Sequence, residues 1–185
     1  IFETNSNYIV ITILIIMLLA ASWISLRTTS LPRKTLLLNA IYSIVLGGVT
    51  VLLLMTQGVL SLKPWYSPSY MIPLGGMIFA NCMNSISLSA ERLESELKQG
   101  KPYEKAKVIA LRTSLIPITN MLLAVGLVSL PGMMTGQILS GVSPLIAVRY
   151  QIMVMCMIFG SSGISAAVFL HTAKDSFTET KNRFE

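Results

Sequence analysis

The eight acidic residues of this chain leave two long stretches, 4–90 and 105–174, without a single carboxylate. Five apolar runs fall inside them: 8–26, 35–62, 70–90, 108–130, and one that begins at Pro144 and continues past Leu170. A helix needs about 20 predominantly apolar residues to cross hydrocarbon, and each run is long enough. Only 12% of the residues are charged, against about 25% in soluble domains, so the surface of such a chain suits lipid rather than water. The expected fold is therefore all-α: a polytopic transmembrane helix bundle of about five spans. It forms one transmembrane domain over residues 1–185, with a cytosolic loop at 91–107 and an outer connection at 131–143.

The basic residues orient the bundle. Arg27, Arg33 and Lys34 follow the first run, Arg92, Lys98, Lys101, Lys105, Lys107 and Arg112 lie around the third connection, and Lys174, Lys181 and Arg183 follow the last run. Only Lys63 and Arg149 fall on the alternate side. The positive-inside rule puts the larger set in the cytosol. Ile1 is then outside and the C-terminus inside, and Trp65, Tyr66 and Tyr70 stand at the outer interface. The net charge of +6 is spent on orientation, so it gives no reason to expect nucleic acid as a partner.

Length and punctuation add detail. Pro144 to Lys174 is about 46 Å as a helix, longer than a hydrocarbon core of about 30 Å, so this helix projects or tilts and Arg149 reaches the outer headgroups. Ser143 followed by Pro144 reads as a hydroxyl N-cap with proline at N1. Residues 91–107 begin with helix formers that extend the third run into the cytosol, and Gly100 and Pro102 stop it. Either this is a solvated helix end, or Glu91, Arg92, Glu94, Glu96 and Arg112 form a docking surface for a cytosolic partner.

No enzyme motif is present. The Gly100-Lys101 pair continues as Pro102-Tyr103, so there is no P-loop, and one histidine, His171, builds no zinc cluster. Carriers driven by protons or sodium usually keep a carboxylate at membrane depth, and these runs have none. Any transport must then take its energy from elsewhere. The polar residues at depth are Asn81, Asn84 and Ser85, spaced to share one face of a helix, and Asn120, three residues after Pro117, where the missing N–H invites a bend. They either join helices by hydrogen bonds or line a substrate pathway of neutral amides. Cys82 and Cys156, and methionines such as Met153 and Met157, read as packing before ligation, and no metal site is assigned. In the connection PGMMTGQILSGVS, Gly132, Met133, Met134, Gly136 and Gln137 form a short apolar segment suited to a re-entrant turn or an outer lid. The Gly132/Gly136 spacing permits close backbone approach.

Two blocks carry a resemblance: WYSPSYMIPLGGMIFANCMNSISLSAERLESEL at 65–97 and VGLVSLPGMMTGQILSGVSPLIAVRYQIMVM at 125–155. The chain resembles the FetB-type ABC transporter permease family, bacterial permeases assigned to iron export together with plant aluminium-tolerance relatives. The resemblance implies the transmembrane subunit of an ATP-driven exporter in a plasma membrane, bacterial inner membrane first. It also implies a pair of permease chains and a separate cytosolic ABC ATPase that holds ATP and Mg, with no cofactor and no catalysis in this chain. Iron is the usual suggestion for bacterial members and a nucleotide sugar for plant ones. Nothing in the residues selects iron, since Fe(II) prefers carboxylate or imidazole. A scaffold that tethers an ATPase without transporting is the alternative. Family members begin about two helices earlier, so the chain is expected to be a fragment of a seven-span permease. They also carry a longer helical stretch at 97–107.

Overall fold

The computed structural model describes residues 7–31, 33–128 and 130–177. Five helices are long and apolar enough to cross a membrane: α1 (Asn7–Ser25), α2 (Arg33–Val59), α3 (Pro68–Lys98), α4 (Tyr103–Ala124) and α6 (Pro144–Thr172). A short helix, α5 (Gly132–Leu139), lies between the last two. The expected all-α bundle is what forms. Lys181 and Arg183, used above for orientation, lie outside the described residues.

α3 is the central post, packed against α1, α4 and α6. It buries Ile78, Phe79, Cys82, Ile86, Ala90 and Leu93, which repeat at helical spacing along one flank. α6 supplies the facing surface with Val154, Met157, Ile158, Phe169 and Leu170. α1 exposes large side chains such as Ile15, Ile16 and Leu19, as lipid-facing helices do.

Helix ends depart from the sequence expectation in three places. α4 begins at Tyr103 and stops at Ala124, not 108–130. Lys105 and Lys107 are good helix formers and carry it past the apolar stretch, while Gly126, at φ +84°, turns the chain where an L side chain would be strained. α3 starts at Pro68 and runs to Lys98, and Gly100 at φ +80° ends it as expected. Before α6, Pro144 occupies the first turn, but the Ser143 hydroxyl makes no cap. Ser143 instead offers its backbone carbonyl to the N–H groups of Ile146 and Ala147, both at 3.0 Å.

α2 is not a uniform α-helix. Val45–Val49 and Leu54–Val59 are π-helical. The first π segment holds Gly47, packed so closely on α6 that an added Cβ would stand 2.2 Å from Ser165 Oγ and 2.7 Å from its backbone N. A glycine is required there by lack of space. Most buried hydroxyls bond back to their own helix: Ser22 to the Leu18 carbonyl, Ser43 to Asn39, Thr56 to Leu52 and Ser161 to Ile158. This satisfies a hydroxyl in hydrocarbon without a partner helix. Packing, not polar pairing, therefore holds the middle of the bundle together.

Candidate functional site

The helix hairpin of α3 and α4 sets the depth of the polar residues singled out above. Counting back from Lys98 and forward from Tyr103, Asn81 and Asn120 both stand about 26 Å from the turn and Asn84 about 21 Å. The first eight or so residues from Lys98 to Glu91 project past the apolar run, about 12 Å of helix. The amides thus lie near the middle of a hydrocarbon core of about 30 Å. Asn84 and Asn120 are exposed on the outside of the bundle, Asn81 is half-buried and Ser85 is buried. Asn81 donates to the Met77 carbonyl of its own helix at 2.8 Å. None of the four lines either cavity described below. On α4, Arg112, Ile116, Thr119, Asn120 and Leu123 are exposed along one stripe of the helix, with exposed Pro117 beside it. An exposed amide facing lipid at that depth would be left without a partner, at a cost that selects against it. This face therefore suits water or another protein surface.

At the basic end, loop and helix ends are tied together. The Ser30 backbone N–H donates to Glu94 Oε2 at 3.0 Å, and the Ser30 hydroxyl bonds the other carboxylate oxygen. Lys98 pairs with Glu94 at 2.6 Å. Thr28 Oγ1 meets Ser87 Oγ at 3.0 Å. Glu96 is fully buried and paired with Arg92 at 2.5 Å and with Lys101 across the turn. The Tyr103 hydroxyl donates to the Leu170 carbonyl at 2.6 Å, fastening α4 to α6, and Lys174 reaches Glu104 at 3.4 Å.

Both carboxylates stand beyond the apolar part of α3. The hydrogen bond from Lys101 holds the Glu96 carboxyl below its ordinary pKa, against burial and helped by the charge of Arg92. Burial pushes Glu94 up, but the hydrogen bonds from Lys98 and Ser30 outweigh it and leave the group below its ordinary value. Of the residues read as a docking surface, Glu94 and Glu96 are thus engaged inside the chain, Arg92 is exposed but tied to Glu96, and Glu91 and Arg112 remain exposed. Ser30, 64 positions away from Glu94, is the partner that sequence spacing could not supply.

At the other end, α5 packs on α6 and buries none of its residues fully. Met133 is exposed, Met134 and Gln137 are half-buried, and Gln137 Oε1 is enclosed without a hydrogen-bond partner. The Gly132/Gly136 pair makes no close approach within the chain: nothing lies within 4 Å of where a Cβ would stand on either. α5 is one short helix on the surface, with no second backbone over its glycines. Two cavities accompany this end. One, of about 200 Å³, is wholly apolar and lies between α1, α2, α3 and Trp65. The other, of about 340 Å³, lies among α4, α5 and α6. No group of three or more His, Cys, Asp or Glu side chains that could hold a metal occurs among the described residues.

A family model described as "Uncharacterised protein family (UPF0014)" matches residues 1–109 and 101–177. A UPF0014 membrane protein of Synechocystis is 38% identical over 182 residues, 89% of this chain and 70% of that protein. The Escherichia coli protein named a probable iron export permease, FetB, is 26% identical over 99% of this chain and 75% of its own length. The Arabidopsis thaliana protein ALUMINUM SENSITIVE 3 is 32% identical, over 95% of this chain and 68% of its own length. No solved structure matches the chain.

Proposed function

Because the chain belongs to the UPF0014 family of membrane proteins, we propose that it is the transmembrane permease subunit of an ATP-driven ABC exporter. The observation that carries the reading is the absence of acids from the apolar spans, together with neutral amides exposed at mid-membrane: Asn84 on α3 and Asn120 on α4. Without an intramembrane carboxylate there is no coupling charge for a proton or sodium gradient. Without a P-loop in the sequence there is no site here for ATP. A cytosolic ABC ATPase, holding ATP and Mg, supplies the energy. The name of the Escherichia coli relative supports the permease role.

In this reading the basic end of the bundle faces the cytosol of a plasma membrane. Glu91, Arg92 and Arg112 present the charges an ATPase would meet, and the Glu94 and Glu96 clamps keep the helix ends rigid beneath them. A second permease chain covers the α3–α4 face, and the substrate passes along it past the exposed Asn84 and Asn120 with half-buried Asn81 beside them, while Ser85, buried in the bundle, stands off this path, as the two chains move between two states. Iron enters only through the name of a relative; the amides fit a metal complex or a nucleotide sugar at least as well as a bare Fe(II) ion.

The test is co-reconstitution with a cytosolic ABC ATPase of the same organism, with ATPase activity screened against Fe, other metals and small organic solutes. The expected result is stimulation by one solute class and ATP-dependent movement of that solute. Charge reversal at Glu91 and Arg112 together, which leaves the Arg92–Glu96 clamp intact, should abolish ATPase recruitment. Uphill transport by the purified chain alone would refute the proposal. A second reading, a scaffold that tethers the ATPase and moves nothing, draws support from the apolar cavities and packed interior. It predicts full ATPase recruitment with no solute movement.

A further inference from the structure

The charges at the basic end are divided unequally between paired and unpaired. Glu94, Glu96 and Glu104 hold Arg92, Lys98, Lys101 and Lys174. Arg27, Arg33 and Lys34, where α1 turns into α2, are exposed, and no ion pair reaches them among the described residues. Neither α1 nor α2 has a carboxylate to offer, because 4–90 holds none. The turn is firmly seated all the same. Leu26 and Leu31 are buried, Glu94 holds the Ser30 N–H, and the Thr28 hydroxyl meets Ser87 Oγ at 3.0 Å. Cations on such a support need little further ordering to meet an anion. The Arg33 guanidinium carbon lies 5.5 Å from the centre of the exposed Trp23 ring. A tryptophan near the end of a span marks the boundary of water and lipid, so this charge stands at headgroup depth.

What lies below the cations selects what covers them. On α2, Leu38, Tyr42 and Leu46 follow Lys34 in steps of four, and all are exposed. On α1, Ile15, Leu19 and Trp23 form a matching exposed row. The Trp23–Arg33 contact joins the two rows at their basic ends. An acidic protein surface would answer the charges and leave both rows bare; a molecule anionic at one end and apolar along its length answers both. We propose that the α1–α2 turn binds an anionic phospholipid of the cytosolic leaflet, with its phosphate among Arg27, Arg33 and Lys34 and its acyl chains along the two rows. The inference uses only the orientation of the bundle and stands whether or not the chain transports anything.

The test follows fluorescence of the whole chain carrying Trp65→Phe, which leaves Trp23 as its one tryptophan. The chain sits in nanodiscs of phosphatidylcholine and phosphatidylglycerol, with bromine on the acyl chains of one lipid at a time. Quenching should give phosphatidylglycerol a relative affinity at least about fivefold higher, the worth of one cation near a membrane surface. Raising NaCl from about 0.02 M to 0.5 M should shrink that preference by screening, with no charge altered. Arg27→Gln, Arg33→Gln and Lys34→Gln together should abolish it, and Lys63→Gln, at the other end of the bundle, should leave it intact. Equal quenching by the two lipids, or a preference unchanged by salt and by the triple variant, would overturn the proposal. So would displacement of the lipid by inorganic phosphate at constant ionic strength, which would assign the cations to a soluble anion. Loss of ATPase recruitment in the triple variant with the lipid preference intact would assign them to a protein partner and overturn it as well.

Discussion

Gly47 gives the sharpest test of how this bundle is held together. A methyl group added there would stand 2.2 Å from Ser165 Oγ, 2.7 Å from Ser165 N and 2.9 Å from the Ser161 carbonyl oxygen. Two of those three neighbours are backbone atoms of α6, so a rotamer change cannot relieve the clash and one helix must move. Overpacking of this kind costs about 1–3 kcal/mol. Replacing a helical glycine by alanine returns about 0.5–1 kcal/mol. Gly47→Ala should therefore destabilise by about 0–2.5 kcal/mol net, toward the upper end because two of the contacts are backbone. Gly160 and Gly163 on α6 have nothing within 4 Å, so alanine at either should be neutral or mildly stabilising. Gly75 is the discriminating control: its added Cβ would come within 2.6 Å of Leu14 Cδ2, the far end of a flexible side chain that can turn away. The assay is unfolding in detergent mixtures of rising SDS fraction, followed by circular dichroism. The expected order of stability is Gly160→Ala, then Gly75→Ala, then Gly47→Ala. Adding Ser165→Gly should rescue Gly47→Ala only in part, because the backbone contacts remain. Equal stability of Gly47→Ala and Gly160→Ala would refute the close approach of α2 and α6.

Three further outcomes follow from the clamps and the amide face. Tyr103→Phe removes the hydrogen bond to the Leu170 carbonyl and should cost about 1 kcal/mol in the same assay. Glu96 has a folded pKa below its ordinary value of 4.5, so its stabilisation is complete above that value and is lost as pH falls through the lowered one. Thermal unfolding from roughly pH 3 to pH 7 should show Glu96→Gln less stable than wild type at neutral pH and equal to it in strong acid; a constant difference across the range would count against the pairing with Lys101 and Arg92. In a Cys156→Ser background, Asn84→Cys and Asn120→Cys should react with a membrane-impermeant thiosulfonate in reconstituted complexes, while Ile78→Cys, at a fully buried position, should not. Protection of both asparagine positions would favour the scaffold.

The spans were legible because lipid imposes one blunt requirement, an apolar length, and every run that met it became a helix. The α3 extension was legible too, since helix formers followed by Gly100 and Pro102 act locally. What depended on a distant partner was not. Glu94 and Glu96 read as free charges because Ser30 and the fold of the 99–102 turn cannot be seen from their own neighbourhood. The two glycine pairs make the same point in reverse. Gly132 and Gly136 have the spacing associated with close packing, yet α5 brings no second helix to them; Gly47 has no such motif, yet it meets Ser161 and Ser165. The signal that was available lies in two places at once: a glycine pair in the second run and the small-residue stretch Gly160 to Ala167 in the last. Spacing within one segment states what a surface permits. Only the matching of small residues across two segments states which surfaces meet.

The same logic bears on the amide face. A helix that crosses a membrane with Asn120, Thr119 and Arg112 on one exposed stripe has not finished burying itself. Within this chain the partner surface of that stripe is absent among the described residues, while the interior is packed with apolar side chains and back-bonded hydroxyls. The two exposed mid-span amides, Asn84 and Asn120, thus stand on the outer surface of the bundle and not in its packed interior. A bundle built only to anchor an ATPase would gain from reversing that choice. That asymmetry favours the permease reading over the scaffold, and it is why accessibility at Asn84 and Asn120 decides between them.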